Sequence, residues 1–110
     1  MKELGKISSA EFGTIDDYPN MIGLQLHFAL GGGTSAIGDG GIHTVNISKS
    51  MWEGKAKSHR NAYAFLALSA VLNVLTEAKV YHVSQLKNKP VEVVIEGNVF
   101  KSFRILKEVL

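Results

Sequence analysis

The chain has 110 residues, of which 45% are hydrophobic and 20% are charged, and its formal net charge is +2. This length predicts one domain over residues 1–110, and the charge is too small to indicate a nucleic-acid or membrane partner through a long-range field. The absence of cysteine excludes disulfides and thiolate zinc sites. Residues 1–6 lack the apolar core of a signal peptide, and the apolar run 62–74 is too short to span a bilayer, so we expect a cytoplasmic protein.

The first half of the chain is rich in predicted β-structure. Residues 4–12 predict a first strand, which a turn at 14–20 connects to a second. In the second strand, apolar residues alternate with smaller or polar ones, the period of a half-buried strand; the apolar set is Ile22, Leu24, Leu26, Phe28 and Leu30. Residues 31–41 hold six of the eleven glycines and predict a loop, and residues 42–47 predict a third strand.

One helix is predicted after a polar connection at 48–57. It begins near Ser58, a good N-cap residue, and ends near Glu77 or Ala78. Its main apolar stripe is Phe65, Leu68, Leu72 and Leu75, and further apolar residues extend the stripe around most of the circumference. A helix on one small sheet should be polar on its outer half. We therefore expect a second copy of the chain to cover this helix.

The C-terminal part predicts a β-hairpin. Residues 91–96 and 99–105 are joined by Gly97-Asn98, a pair that tolerates left-handed backbone geometry. This turn predicts that Ile95 faces Phe100, Val93 faces Ser102 and Val91 faces Arg104. The apolar end of the tail, 106–110, predicts that it docks on the domain. The expected fold class is α+β, with an antiparallel sheet from the N-terminal strands and the C-terminal hairpin packed on one long central helix.

The motifs of catalysis and cofactor binding are not matched. The glycine segment resembles the start of a phosphate-binding loop, but Asp39 stands where that loop requires lysine, and no helix follows the glycines. The four histidines lack the spacing of a helical zinc site. We expect neither an enzyme nor a cofactor or metal site. The glycine segment is then a hairpin connection, or a loop that approaches a ligand closely through its backbone N–H groups.

Basic and aromatic residues are the better binding candidates. Lys55, Lys57, His59 and Arg60 precede or begin the helix, where positive charge and free N–H groups attract an anion, unless they form only a solvated turn. Arg104 lies between apolar neighbours and either extends to solvent or contacts a charged ligand. Phe100 and Phe103 fit a core more readily than a base-stacking surface.

Several blocks of the chain resemble small phage and prophage proteins of about this length. They are residues 6–13, the glycine stretch closing in Gly38-Asp39, and the segments 78–80, 83–86, 89–93 and 102–110, of which the last is the most specific. The pattern is similar to that of the type-one Thoeris anti-defence proteins. In members with this pattern a tryptophan stands in the glycine stretch, where this chain has Thr34-Ser35.

The resemblance implies a molecular sponge in the cytoplasm of an infected bacterial host. Such proteins sequester cyclic ADP-ribose isomers made by bacterial immune enzymes without cleaving them, some members also hold cyclic oligonucleotides, and the family assembles as a hexamer. We take the candidate ligand-binding residues to be Asp39, Arg60, Asn61, Phe100, Phe103 and Arg104. The alternative is a nucleic-acid-binding or regulatory phage accessory protein that uses the basic helix start.

Overall fold

A computed structural model describes residues 1–15, 18–39, 43–46 and 57–109 of the chain. Within these ranges the elements, in chain order, are β1 (Lys2–Ile15), β2 (Tyr18–Leu30), β3 (Ser35–Gly38), β4 (His43–Asn46), α1 (Lys57–Ala78), β5 (Pro90–Glu96) and β6 (Val99–Ile105). Short 3₁₀ turns occupy Gly31–Gly33, Val83–Leu86 and Lys107–Val109. The predicted α+β class, with N-terminal strands, one helix and a C-terminal hairpin, is confirmed. The connection at 48–56 and both end residues of the predicted third strand, 42 and 47, lie outside the described residues.

All the strands pair antiparallel in one sheet, in the order β3-β2-β1-β5-β6. β4 also pairs with β2, on the edge that β3 occupies. β3 and β4 therefore lie end to end, with His27 opposite Gly38 and Leu24 opposite His43. β3 ends at Gly38 and β4 begins at His43, so the edge of the sheet is interrupted between them.

The sheet is curled, so its two edges approach each other on the concave side. The ring centroids of Phe28 in β2 and Phe103 in β6 lie 5.0 Å apart, and those of His43 in β4 and Phe103 lie 6.0 Å apart. α1 packs across this side, where Val71, Val74 and Ala78 are buried. The core fills the concave face and consists of Ile7, Leu24, Leu26, Phe28, Leu30, Val71, Val74, Ala78, Leu86, Val91, Val93 and Ile105.

The alternation predicted for β2 is confirmed. Leu24, Leu26, Phe28 and Leu30 are buried on the concave face, whereas His27 is exposed. The Nδ1 atom of His27 lies 3.1 Å from the hydroxyl oxygen of Ser9 on the outer face. Burial every second residue therefore reflects the side of the sheet that α1 covers.

The C-terminal hairpin forms at the predicted turn, but most of the predicted register is wrong. Gly97 and Asn98 both adopt positive φ, at 57° and 63°, and Ile95 faces Phe100 as expected. A register shift then follows, and Val93 faces Phe103 and Val91 faces Ile105 instead of Ser102 and Arg104. One extra residue in β6 places both of these apolar side chains on the concave face, where burial stabilises them.

The helix confirms the predicted element but buries a different stripe. Val71, Val74 and Ala78 face the sheet, whereas three of the four residues predicted to form the main stripe, Phe65, Leu68 and Leu72, are exposed. The fourth, Leu75, packs partly buried against the core. The smaller residues allow the helix backbone to approach the curled sheet, so the larger ones remain on the outside.

One window of α1, Asn61–Ala78, is long and apolar enough to cross a membrane by length and composition, and 17% of it is buried inside the domain. This window is longer than the run considered from the sequence. Its buried residues belong to the same core as the sheet.

The tail is partly docked, as expected. The N–H of Leu106 donates to the carbonyl of Pro90 at 3.0 Å, which continues the pairing of β6 with β5. Val109 is exposed, and Leu110 lies outside the described residues. Docking therefore reaches the beginning of the tail in the part of the chain that the structure describes.

Candidate functional site

A cleft of 590 Å³ opens at one end of the concave face, and we name it the mouth cleft. The apolar side chains of Leu30, Ile37 and Ile95 continue the core into it. The remaining lining residues are mostly small or polar and form its rim; they are Met1, Glu3, Ser35, Ala36, Glu96, Gly97 and Asn98. A volume between about 300 and 1,000 Å³ with an apolar floor and a few polar groups is typical of a small-molecule site.

Two turns with left-handed backbone geometry bound the mouth cleft. Gly31–Gly33 adopts φ values of 58°, 70° and 95°, which side chains rarely tolerate, and the hydroxyl of Thr34 donates to the carbonyl of Gly31 at 2.8 Å. The second turn, Gly97-Asn98, carries the C-terminal hairpin. Gly31–Gly33 thus forms a hairpin connection between β2 and β3, as one interpretation predicted, whereas Ser35–Gly38 is a strand and not the loop expected there. Close approach of this segment to a ligand stays a prediction.

The described rim of the mouth cleft is acidic. Glu3 and Glu96 line it, and no lysine or arginine does so among the described residues. Carboxylates accept hydrogen bonds from hydroxyl and amino groups, and Ser35 and Asn98 add further donors and acceptors. This set suits the sugar hydroxyls and the base of a nucleotide. Among the described lining residues, the cation offered to a phosphate is the α-ammonium of Met1, which donates to the carbonyl of Ile95 at 2.9 Å.

The structure places Asp39 inside the fold, 3% exposed, at the interruption between β3 and β4. Its N–H donates to the carbonyl of Leu26 at 3.0 Å, and its Oδ2 accepts from the N–H of Leu26 at 3.2 Å. The carboxylate thereby takes the place of a strand carbonyl that the interruption removes. This role stabilises the edge of the sheet and needs no ligand.

His43 is a buried polar residue that the sequence did not single out. It is 8% exposed, and its Nδ1 lies 3.8 Å from Oδ2 of Asp39, too far for a hydrogen bond. This nitrogen has no hydrogen-bond partner among the described residues. The spacing of Asp39 and His43, four residues apart across a glycine pair, is a signal in the sequence that could have suggested their proximity.

A smaller apolar cleft of 200 Å³ lies between α1 and the sheet, and His43 is part of its wall. The other described lining residues are Phe12, Ile22, Gly23, Val45, Ala64, Ala67, Leu68 and Val71. Since Leu68 is also exposed on the helix, this cleft continues onto the apolar outer surface of α1.

Phe100 and Phe103 contact the core. The ring of Phe100 stacks on Phe28 at 5.6 Å with an interplanar angle of 8°, and Phe103 packs against the same ring at 5.0 Å. Both are half-buried. The two rings also lie 6.4 Å from each other, so both belong to one aromatic cluster with Phe28.

Arg104 lies 52% exposed on the outer face of the sheet, away from the mouth cleft. Its Nε donates to Oε1 of Glu92 at 3.1 Å, and its Nη1 donates to Oε1 of Glu108 at 3.2 Å. Hydrogen bonds to Glu92 and then to Glu108 raise the pKa of Arg104. A hydrogen bond from its own backbone N–H, followed by that from Arg104, lowers the pKa of Glu108. Two carboxylates thus balance this cation within one chain.

The last two candidates lie near the start of α1. Asn61 is exposed there, and the side chain of Arg60 lies outside the described residues, as do Lys55 and its neighbours before the helix. Three of the candidates lie near one another: His43 lies beside Asp39 and Phe103, and Phe28 stacks on Phe100. Arg104 lies on the opposite face of the sheet. Among the described residues, no three His, Asp or Glu side chains are grouped to hold a metal ion.

Comparisons of the chain with protein-family models, curated proteins and solved structures found no match.

Proposed function

We propose that this protein is a phage-type anti-defence sponge that binds cyclic ADP-ribose isomers without cleaving them in the cytoplasm of the infected host. The observation that carries the proposal is the mouth cleft, whose 590 Å³ can enclose a nucleotide-sized ligand. Its apolar floor can cover a base. The carboxylate and amide oxygens of its rim can accept hydrogen bonds from the hydroxyl groups of two riboses. Cyclic oligonucleotides, which share these groups, form the second ligand class.

The charge of the cleft adds a condition to this proposal. Glu3 and Glu96 would repel the two phosphates of such a ligand at the described rim. In the proposed homo-oligomer, a hexamer, the neighbouring subunit supplies the missing cations. Lys55, Lys57 and Arg60 cluster at the start of α1 and are the candidates, because a helix N-terminus adds N–H donors to their charge.

The direct test is retention of intact ligand. The protein is incubated with cyclic ADP-ribose isomers, filtered from unbound ligand and heated, and the released compound is identified by mass. Intact ligand in the protein fraction supports sequestration. Degraded ligand would identify an enzyme, and no retention would refute the sponge; a gel shift with a steep salt dependence would then favour the nucleic-acid-binding alternative.

A matched pair of variants locates the site. Ser35→Glu adds a third carboxylate to the rim. We expect it to weaken binding about fivefold, since two unit charges about 7 Å apart repel by about 1 kcal/mol at an intermediate dielectric constant. Ser102→Glu makes the same change on an exposed position of β6 and should leave the affinity unchanged. Equal affinities of the two variants would remove the mouth cleft as the site.

A further inference from the structure

The outer surface of α1 carries a stripe of large apolar side chains that the fold leaves uncovered. Phe65, Leu68 and Leu72 are 69%, 61% and 62% exposed. Their spacing of three and four residues places them on one side of the helix. From Asn61 to Thr76 the sequence contains no charged residue, so an apolar partner would not have to remove water from a charge on this stretch.

The stripe is symmetric in sequence about a point between Leu68 and Ser69. Going outward from this point, Leu68 corresponds to Ser69, Phe65 to Leu72, and Asn61 to Thr76. Two such helices that cross antiparallel on a two-fold axis would therefore place Phe65 of one copy against Leu72 of the other. Polar residues would meet at both ends. A surface that matches itself in this way is what an isologous contact requires.

The area is sufficient for a specific contact. If a large side chain fully exposes about 200 Å², the stripe presents roughly 380 Å² of apolar surface in each copy. Two copies would cover roughly 770 Å² with these side chains alone. The flanking residues Asn61, Ala62 and Thr76 would bring the total to the order of 1,000 Å², the lower threshold for a biological interface.

A bilayer is a poorer occupant of the same surface. A spanning helix needs lipid or protein around its whole circumference in the membrane. Val71, Val74 and Ala78 instead pack on a sheet whose outer face carries charged residues such as Lys6 and Glu92. The sheet would have to enter the membrane together with the helix.

We infer that two copies of this chain pair antiparallel through the Phe65–Leu68–Leu72 stripe of α1. This inference rests on the assembly in the proposed function and identifies the surface that forms it. It also assigns a role to large apolar side chains that remain more than half exposed in the single chain. The pairing can be tested without any ligand, so a dimer that retains no nucleotide would refute the sponge and leave the pairing intact.

The first experiment compares two leucines of nearly equal exposure on the same helix. Leu68→Glu places two carboxylates face to face at the two-fold axis, so the mass in solution, measured by light scattering, should fall to half of the wild-type value or less. Leu66 is 62% exposed but lies more than a quarter turn away, so Leu66→Glu should keep the wild-type mass. A monomeric wild type, or equal masses for the two variants, would overturn the inference.

The second experiment uses the absence of cysteine from the chain. On oxidation, Leu68→Cys should form a disulfide-linked dimer, because its two copies meet at the axis. Thr76→Cys should not, since its copies would lie about 22 Å apart along the helix at 1.5 Å per residue. A mixture of Asn61→Cys and Thr76→Cys should cross-link across the pair. Efficient disulfide formation between two copies of Thr76→Cys would refute the antiparallel pair. The pair would also be refuted if the wild type bound phosphatidylcholine vesicles and Leu68→Glu abolished that binding.

Discussion

Asp39 offers a test of whether a sequence-predicted ligand residue instead supports the fold. It is buried and bonds both backbone groups of Leu26. Replacing it by alanine removes the acceptor and leaves the N–H of Leu26 without the side-chain oxygen that it contacts. Asparagine keeps an acceptor of nearly the same shape at this position, so Asp39→Asn is the matched control.

The expected cost follows from the buried hydrogen bond. An unpaired buried donor costs about 1–3 kcal/mol, and for a domain of this size 1 kcal/mol lowers Tm by roughly 4 °C. We expect Asp39→Ala to lose about 2 kcal/mol and roughly 8 °C. Asp39→Asn should lose less than half of this, because the neutral amide still accepts from Leu26.

The measurement is urea unfolding, followed by circular dichroism, together with ligand retention for each folded variant. If Asp39→Ala is as stable as the wild type, the structural role assigned to the carboxylate is wrong. If the same variant also fails to retain ligand, the original interpretation of Asp39 as a binding residue is the better one.

Two further predictions concern the sheet and its outer face. A Cβ on Gly23 would overlap the carbonyl oxygen of His43, so Gly23→Ala should lower the free energy of unfolding by about 2 kcal/mol. A Cβ on Gly13 would meet no atom within 4 Å, so Gly13→Ala should change that free energy by less than about 0.5 kcal/mol. Urea unfolding measures both. Equal effects would mean that β4 does not pack on β2 as described. Because the pKa of Glu108 is lowered in the folded state, its stabilising contribution is present at neutral pH and is lost as pH falls through the folded pKa. Arg104→Gln should return that pKa partly toward its ordinary value in an NMR titration, and an unchanged pKa would contradict the ion pair.

Local patterns in the sequence predicted the elements of this protein well. The alternation in β2 identified its buried face, because side chains on a strand point to opposite sides in turn. Gly97-Asn98 predicted the hairpin turn, because both residues tolerate positive φ. The excess of apolar residues on α1 indicated more apolar surface than one sheet covers, and Phe65, Leu68 and Leu72 are exposed. The second copy expected to cover them stays a prediction.

The tertiary structure decided what these patterns left open. The curl of the sheet brings Phe28, His43 and Phe103 together from three separate strands, and it buries Asp39 where β3 and β4 are interrupted. The stripe of α1 that faces the core is set by how closely the helix approaches this curved surface. Helical and strand periods record which residues share a face, whereas curvature, register shifts and burial arise from contacts between residues far apart in the chain, which no local period encodes.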